Sequence, residues 1–166
     1  MRLRHVVVIT AVLLALAVIE SSVLPVFLPN PGSRPNLVLV ATSVWAALGA
    51  PYALVWAFVG GLFADLTSAT PLGVYAFSLV LGTIVARLIE FAPIPVRWFR
   101  VTTWTAFATV VAHSVWLAYA NGTGHSVDIV ASATNVILPL LLLNPITALP
   151  AYVLLGRIKD LVFSES

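Results

Sequence analysis

Apolar residues run almost unbroken over 6–24, 72–90, 101–121 and 127–156, and polar residues gather in the short stretches between. Each run matches or exceeds the roughly 20 residues that a helix needs to cross the hydrocarbon layer. None alternates polar with apolar in the manner of a membrane β-strand; "VVVITAVLLALAVI" at 6–19 is representative. The pattern predicts membrane helices. Residues 37–66 fit less easily, being long for one crossing and short for two. "LGAPY" at 48–52 interrupts them, and Pro51 suits the first turn of a new helix better than the middle of an old one. A hairpin of two short helices, 36–49 and 51–66, is expected, either spanning or re-entrant. Pro139, Pro145 and Pro150 each remove a backbone donor from the last run. The segment 127–156 is therefore expected to kink or divide, giving one crossing and an oblique portion.

Basic residues set the direction of these helices, because positive charge collects on the cytoplasmic side. Arg2 and Arg4 precede the first run, Arg87, Arg97 and Arg100 border the 87–100 segment, and Arg157 and Lys159 close the last. Arg34 alone follows the first helix. Putting the first seven inside and Arg34 outside demands three crossings between Arg34 and Arg97. The sum is six spans with both termini inside. "MRLRHVVVITAVLLALAVIESS" has the outline of a signal peptide, but Val18, Ile19 and Glu20 stand where small residues would permit cleavage, so a retained first helix is expected.

Composition agrees with this setting. Of 166 residues, 61% are hydrophobic and 8% charged, against about 25% charged in soluble domains. The reading is one polytopic domain over 1–166, a multi-pass inner-membrane protein with the lipid bilayer as its solvent. There are no cysteines, which excludes disulfides and thiol chemistry. The few cations lie at the ends of apolar runs, so nucleic acid is not an expected partner. No phosphate-binding loop, catalytic triad, paired carboxylates or His cluster appears, and neither an enzyme nor a cofactor is expected.

Several residues stand out against the apolar background. Asp65 sits in "GGLFADLTSATPLGVYAF" (60–77), near the outer end of the third expected helix. Intramembrane acids are functional candidates by default. Thr67, Ser68 and Thr70 follow it, and Thr70-Pro71 reads as an N-cap and first-turn pair opening the next helix near Gly73. Asp65 either fastens that turn, contacts a partner, or forms part of a proton, ion or solute site. Small residues recur every four positions, as Ala53, Ala57 and Gly61 and as Ser78, Gly82 and Ala86. Such stripes let helix backbones approach closely, within the bundle or against a partner's transmembrane helix. Glu20 is placed near the outer interface within reach of water or Arg34, and His113 near the middle of the fifth helix. Asn135 and Asn144 are expected to satisfy backbone groups freed by the nearby prolines. "EFAPIPVRWFR" (90–100) suits an interfacial anchor or a contact with a cytoplasmic partner.

Taken together, "RPNLVLVATSVWAALGAPYALVWAFVGGLFADLTSATPLGVYAF" resembles the bacterial rod shape-determining protein MreD family. The likeness lies in an Arg-Pro-Asn start, a Gly-rich helix, and Asp65 followed by Pro71-Leu72-Gly73; "NVILPLLLL" (135–143) is similar to the family's final helix. "GAP" at 49–51 departs from the pattern, since many relatives have a basic residue there. The resemblance implies a non-enzymatic scaffold of the cell-wall elongation machinery. Its implied partner is an MreC-like bitopic membrane protein, with MreB, RodA and a penicillin-binding transpeptidase linked indirectly. It also implies a fold similar to the substrate-binding subunits of energy-coupling-factor transporters. That architecture gives the alternative function, a small-solute-binding membrane subunit using Glu20, Asp65, Thr67 and Asn121.

Overall fold

The computed structural model describes residues 3–68, 70–89 and 97–163. All regular structure among them is helical. Helix α1 covers 3–27, α2 is Leu37–Ala47, α3 is Ala53–Thr67, α4 is Val74–Ile89, α5 is Arg97–Gly122 and α6 covers 129–163. Three stretches are long and apolar enough to cross a membrane: Arg4–Phe27, Trp98–Gly122 and Ile129–Leu161. The others are shorter, and α2, with 11 residues, reaches about 16 Å at 1.5 Å per residue.

The shortest helix is the most enclosed. Every residue from Val38 to Ala47 on α2 is buried, as expected of a helix that is apolar all round. Its side chains enter both core clusters. One joins Val40, Val44 and Trp45 to Ile9, Leu13, Trp56, Trp104 and Leu155. The other joins Val38 and Leu39 to Ala17, Ala57, Leu79 and Ala108.

Both ends of α2 are held by polar groups. At the start, Asn36 Oδ1 accepts from the Leu39 N–H at 2.8 Å, and the Asn36 N–H donates to Asn144 Oδ1 of α6 at 2.9 Å. At the finish, Lys159 Nζ donates to the Leu48 carbonyl at 2.7 Å. Helices α2 and α6 consequently run in the same direction.

The break at 48–52 separates α2 from α3 through Gly49 (φ +61°) and Tyr52 (φ 58°), both left-handed. Pro51 lies in this turn, ahead of the first turn of α3. The left-handed residue comes between them because the chain must reverse before the helix can start.

The last helix is neither segmented nor broken: Pro145 and Pro150 lie inside a continuous Leu138–Phe163. Widened π-turns occur at Ala133–Ile137 and, in α1, at Ile19–Val23. Each ends two residues before a proline, Pro139 and Pro25. Proline lacks an N–H and its ring crowds the carbonyl four residues back. Widening the turn shifts the bonding by one residue, so Leu138 donates to the Ala133 carbonyl and Leu24 to that of Ile19. Its candidate span Ile129–Leu161, 33 residues long, extends about 50 Å, longer than the roughly 30 Å hydrocarbon layer.

Candidate functional site

Asp65 is buried at the end of α3 and turned toward the start of α4. Its carboxylate accepts from the backbone N–H of Gly73 at 2.8 Å, Tyr75 at 2.9 Å and Ala76 at 3.2 Å. The Thr70 hydroxyl donates to it at a longer 3.4 Å. These are the N–H groups that a helix start leaves without intrahelical partners, so the cap of α4 comes from the preceding helix. Thr70-Pro71 is not the N-cap pair, because α4 begins at Val74. Gly73 has φ +102°, a backbone shape that glycine adopts without a Cβ penalty. Thr67 donates to the Phe63 carbonyl at 2.8 Å, and the Ser68 and Thr70 hydroxyls meet at 2.6 Å. Pro71 is exposed.

The small-residue stripes face inward. Ala53, Ala57 and Gly61 are buried, and a Cβ on Gly61 would overlap the backbone of Ala76. Helices α3 and α4 therefore meet backbone to backbone at this point. Gly82 is buried too, and a Cβ there would come within 3.3 Å of Ala108 on α5. Ser78, 1% exposed, donates to the Val74 carbonyl. Ala86 lies on α4, and its side chain is outside the described residues. The same is true of 90–96 in the expected interfacial anchor. Beyond them, Trp98 meets Tyr152 edge to face, with ring centroids 5.5 Å apart, and the Arg100 guanidinium lies 5.7 Å from the Trp104 ring centroid.

A cavity of about 380 Å³ opens at the end of the bundle that carries the 28–36 and 68–73 turns. Its lining includes buried Asn36 and Ala64 together with exposed Pro31 and Ser68, so it communicates with the surface. Both π-turns contribute to it, through Glu20 and Ser21 on one side and Val136 on the other. Half-buried Glu20 accepts from the Val38 N–H at 3.0 Å. Arg34, instead of meeting Glu20, donates from Nε to the Leu28 carbonyl at 2.5 Å and from Nη2 to the Pro29 carbonyl. Gly32 is wedged against the Asn135 carbonyl, leaving no room for a Cβ, and this contact seals the 28–36 loop to the second π-turn.

Behind the cavity runs a chain of buried polar contacts. Asn144 joins the Asn36 N–H to the Thr109 hydroxyl, to which its Nδ2 donates at 3.0 Å. His113 Nδ1 lies 2.8 Å from the Thr109 carbonyl, an acceptor only, so Nδ1 carries the proton. Asn144 thus bridges α2, α5 and α6 and does not serve the prolines beside it. The sequence showed Asn144 as a polar residue in a Leu run but gave no sign of its partners, which lie 108 and 35 residues away.

Of the four residues of the solute-binding alternative, Glu20 and Thr67 line the cavity. Asp65 is occupied by α4, and Asn121 is exposed, donating to the Leu117 carbonyl at 3.0 Å. Among the described residues, no group of three or more His, Cys, Asp or Glu side chains is placed to hold a metal.

The family model for rod shape-determining protein MreD matches residues 1–158. No curated protein and no solved structure matches the chain.

Proposed function

Because the chain belongs to the MreD family, and so has a role in rod shape determination, we propose that it is a non-enzymatic scaffold of the cell-wall elongation machinery. It sits in the bacterial inner membrane as six spans with both termini inside, in the architecture of energy-coupling-factor substrate-binding subunits. It holds the transmembrane helix of an MreC-like bitopic partner and through it reaches MreB, RodA and a penicillin-binding transpeptidase. The parallel run of α2 and α6 supports this topology. Both helices then descend from the outer face, with Lys159 and Leu48 meeting on the cytoplasmic side.

One observation carries the choice of surface. Helices α3 and α4 have 15 and 16 residues, about 23 Å at 1.5 Å per residue, which falls short of a hydrocarbon layer about 30 Å thick. Such mismatch favours helix–helix association. Their outward side chains are large and apolar, with Phe58 50% and Phe77 59% exposed. The inward stripes Ala53, Ala57 and Gly61, and Ser78 and Gly82, hold this thin wall together. Asp65, with Thr67, Ser68, Thr70, Pro71 and Gly73, fixes its outer edge.

The native chain has no cysteine, so single engineered thiols report contacts cleanly. Thiol cross-linking from Phe58→Cys and Phe77→Cys should capture the co-expressed MreC-like partner, whereas Leu142→Cys and Val153→Cys on α6 should not. Capture from α6 alone would move the surface. Failure of the two proteins to co-purify from native membranes would refute the scaffold reading.

A further inference from the structure

The cavity at the loop end of the bundle is large enough for a small ligand, and its polar groups have a consistent chemistry. Its volume of about 380 Å³ falls within the usual range for small-molecule sites.

Three acceptors stand out in its lining: Glu20, His113 and Thr67. Glu20 receives its hydrogen bond from a backbone N–H, and no cationic side chain bonds it among the described residues. His113 carries its proton on Nδ1, toward Thr109, which in the neutral ring leaves Nε2 as an acceptor. The Thr67 hydroxyl spends its proton on the Phe63 carbonyl, leaving lone pairs. Among the donors, Arg34 Nε and Nη2 are engaged on the Leu28 and Pro29 carbonyls, the Ser21 hydroxyl on the Val18 carbonyl and the Asn36 N–H on Asn144. Tyr75 also lines the cavity, and its hydroxyl can accept as well as donate. A guest that fits Glu20, His113 and Thr67 brings several donors, and a positive charge for the carboxylate.

We infer that the cavity lined by Glu20, Thr67 and His113 binds a primary ammonium group, carried by a small free amine or by an ethanolamine phospholipid headgroup. Its three N–H donors match three kinds of acceptor: carboxylate, imidazole nitrogen and hydroxyl. The inference is independent of the partner helix, since the cavity lies within the bundle and not on the outward side chains of α3 and α4.

Thermal unfolding of the purified protein, followed by tryptophan fluorescence, tests it with ethanolamine and with choline, which has no N–H. Nanodiscs of phosphatidylglycerol with and without phosphatidylethanolamine separate the two sources. Ethanolamine in detergent, or phosphatidylethanolamine in the bilayer, should raise the midpoint saturably; the first result assigns a free amine and the second a headgroup. Choline should bind at least tenfold more weakly than ethanolamine, and Glu20→Gln should lose at least tenfold in affinity. Ser21→Phe, which fills the cavity from its rim, should abolish the response and serves if Glu20→Gln does not fold. The proposal is overturned by no saturable response to either amine source, by equal binding of choline, or by an undiminished response in the folded variants.

Discussion

Asp65 shows how a costly residue becomes a structural necessity. Its carboxylate meets three backbone N–H groups at the start of α4, those of Gly73, Tyr75 and Ala76, and an orphaned buried donor costs about 1–3 kcal/mol. Asp65→Ala should therefore lower the unfolding midpoint in detergent markedly and reduce the amount recovered from membranes, whereas Asp65→Asn should recover part of the loss. Wild-type stability of Asp65→Ala would contradict this account. Glycines divide by their surroundings in the same way. Gly61→Ala forces a Cβ into the Ala76 backbone, while Gly49→Ala meets open space and only a left-handed φ. Gly49→Ala should cost on the order of 1 kcal/mol and Gly61→Ala clearly more, as read by denaturant titration. The acid and the glycine stripe were visible in the sequence as oddities among apolar neighbours. The α4 atoms that Asp65 meets were legible only in outline, because the sequence suggested Thr70 as the cap.

Among the elements, length and composition made the long helices plain, and the Pro51 break divided 37–66 correctly into two. The prolines of the last helix were less transparent. Proline interrupts a helix only when the carbonyl behind it cannot be moved aside, and ahead of Pro139 the π-turn at Ala133–Ile137 moves it. Contacts between elements were least legible, since a lone Asn in a Leu run has no pattern that names its partner. Asn144 links α6 to α5 through Thr109 and to α2 through Asn36. A double-mutant cycle of Asn144→Ala and Thr109→Ala should give a coupling of about 0.6 kcal/mol, the usual size for such pairs in membrane proteins. Asn144→Ala alone should cost more, because it also abandons the α2 terminus. Strict additivity of the two substitutions would remove this hydrogen bond from the energetics.

At the scale of the molecule, charge placement and packing argue for the same topology by separate routes. Cations count crossings from the sequence, whereas hydrogen bonds at both ends of α2 orient it parallel to α6. Reporter fusions should read the cytoplasm at Ala50 and the outside at Gly124. An external signal at Ala50 would break the six-span arrangement. The cavity could not be read in advance, because its walls come from segments scattered between Ala17 and Leu140, and no local motif encodes such a convergence.

The two polar clamps on α2 also dictate a sequence of events during biosynthesis. The groups that complete its ends lie 108 and 111 residues further along, a wait of about 5–20 s at ordinary ribosome speed. Until then this short helix lacks the hydrogen bonds and the packing that α6 supplies, so the nascent bundle is an easy substrate for membrane proteases. Chains ending before Asn144 should be degraded rapidly in pulse–chase experiments, and co-expressing the missing last helix as a separate peptide should rescue them.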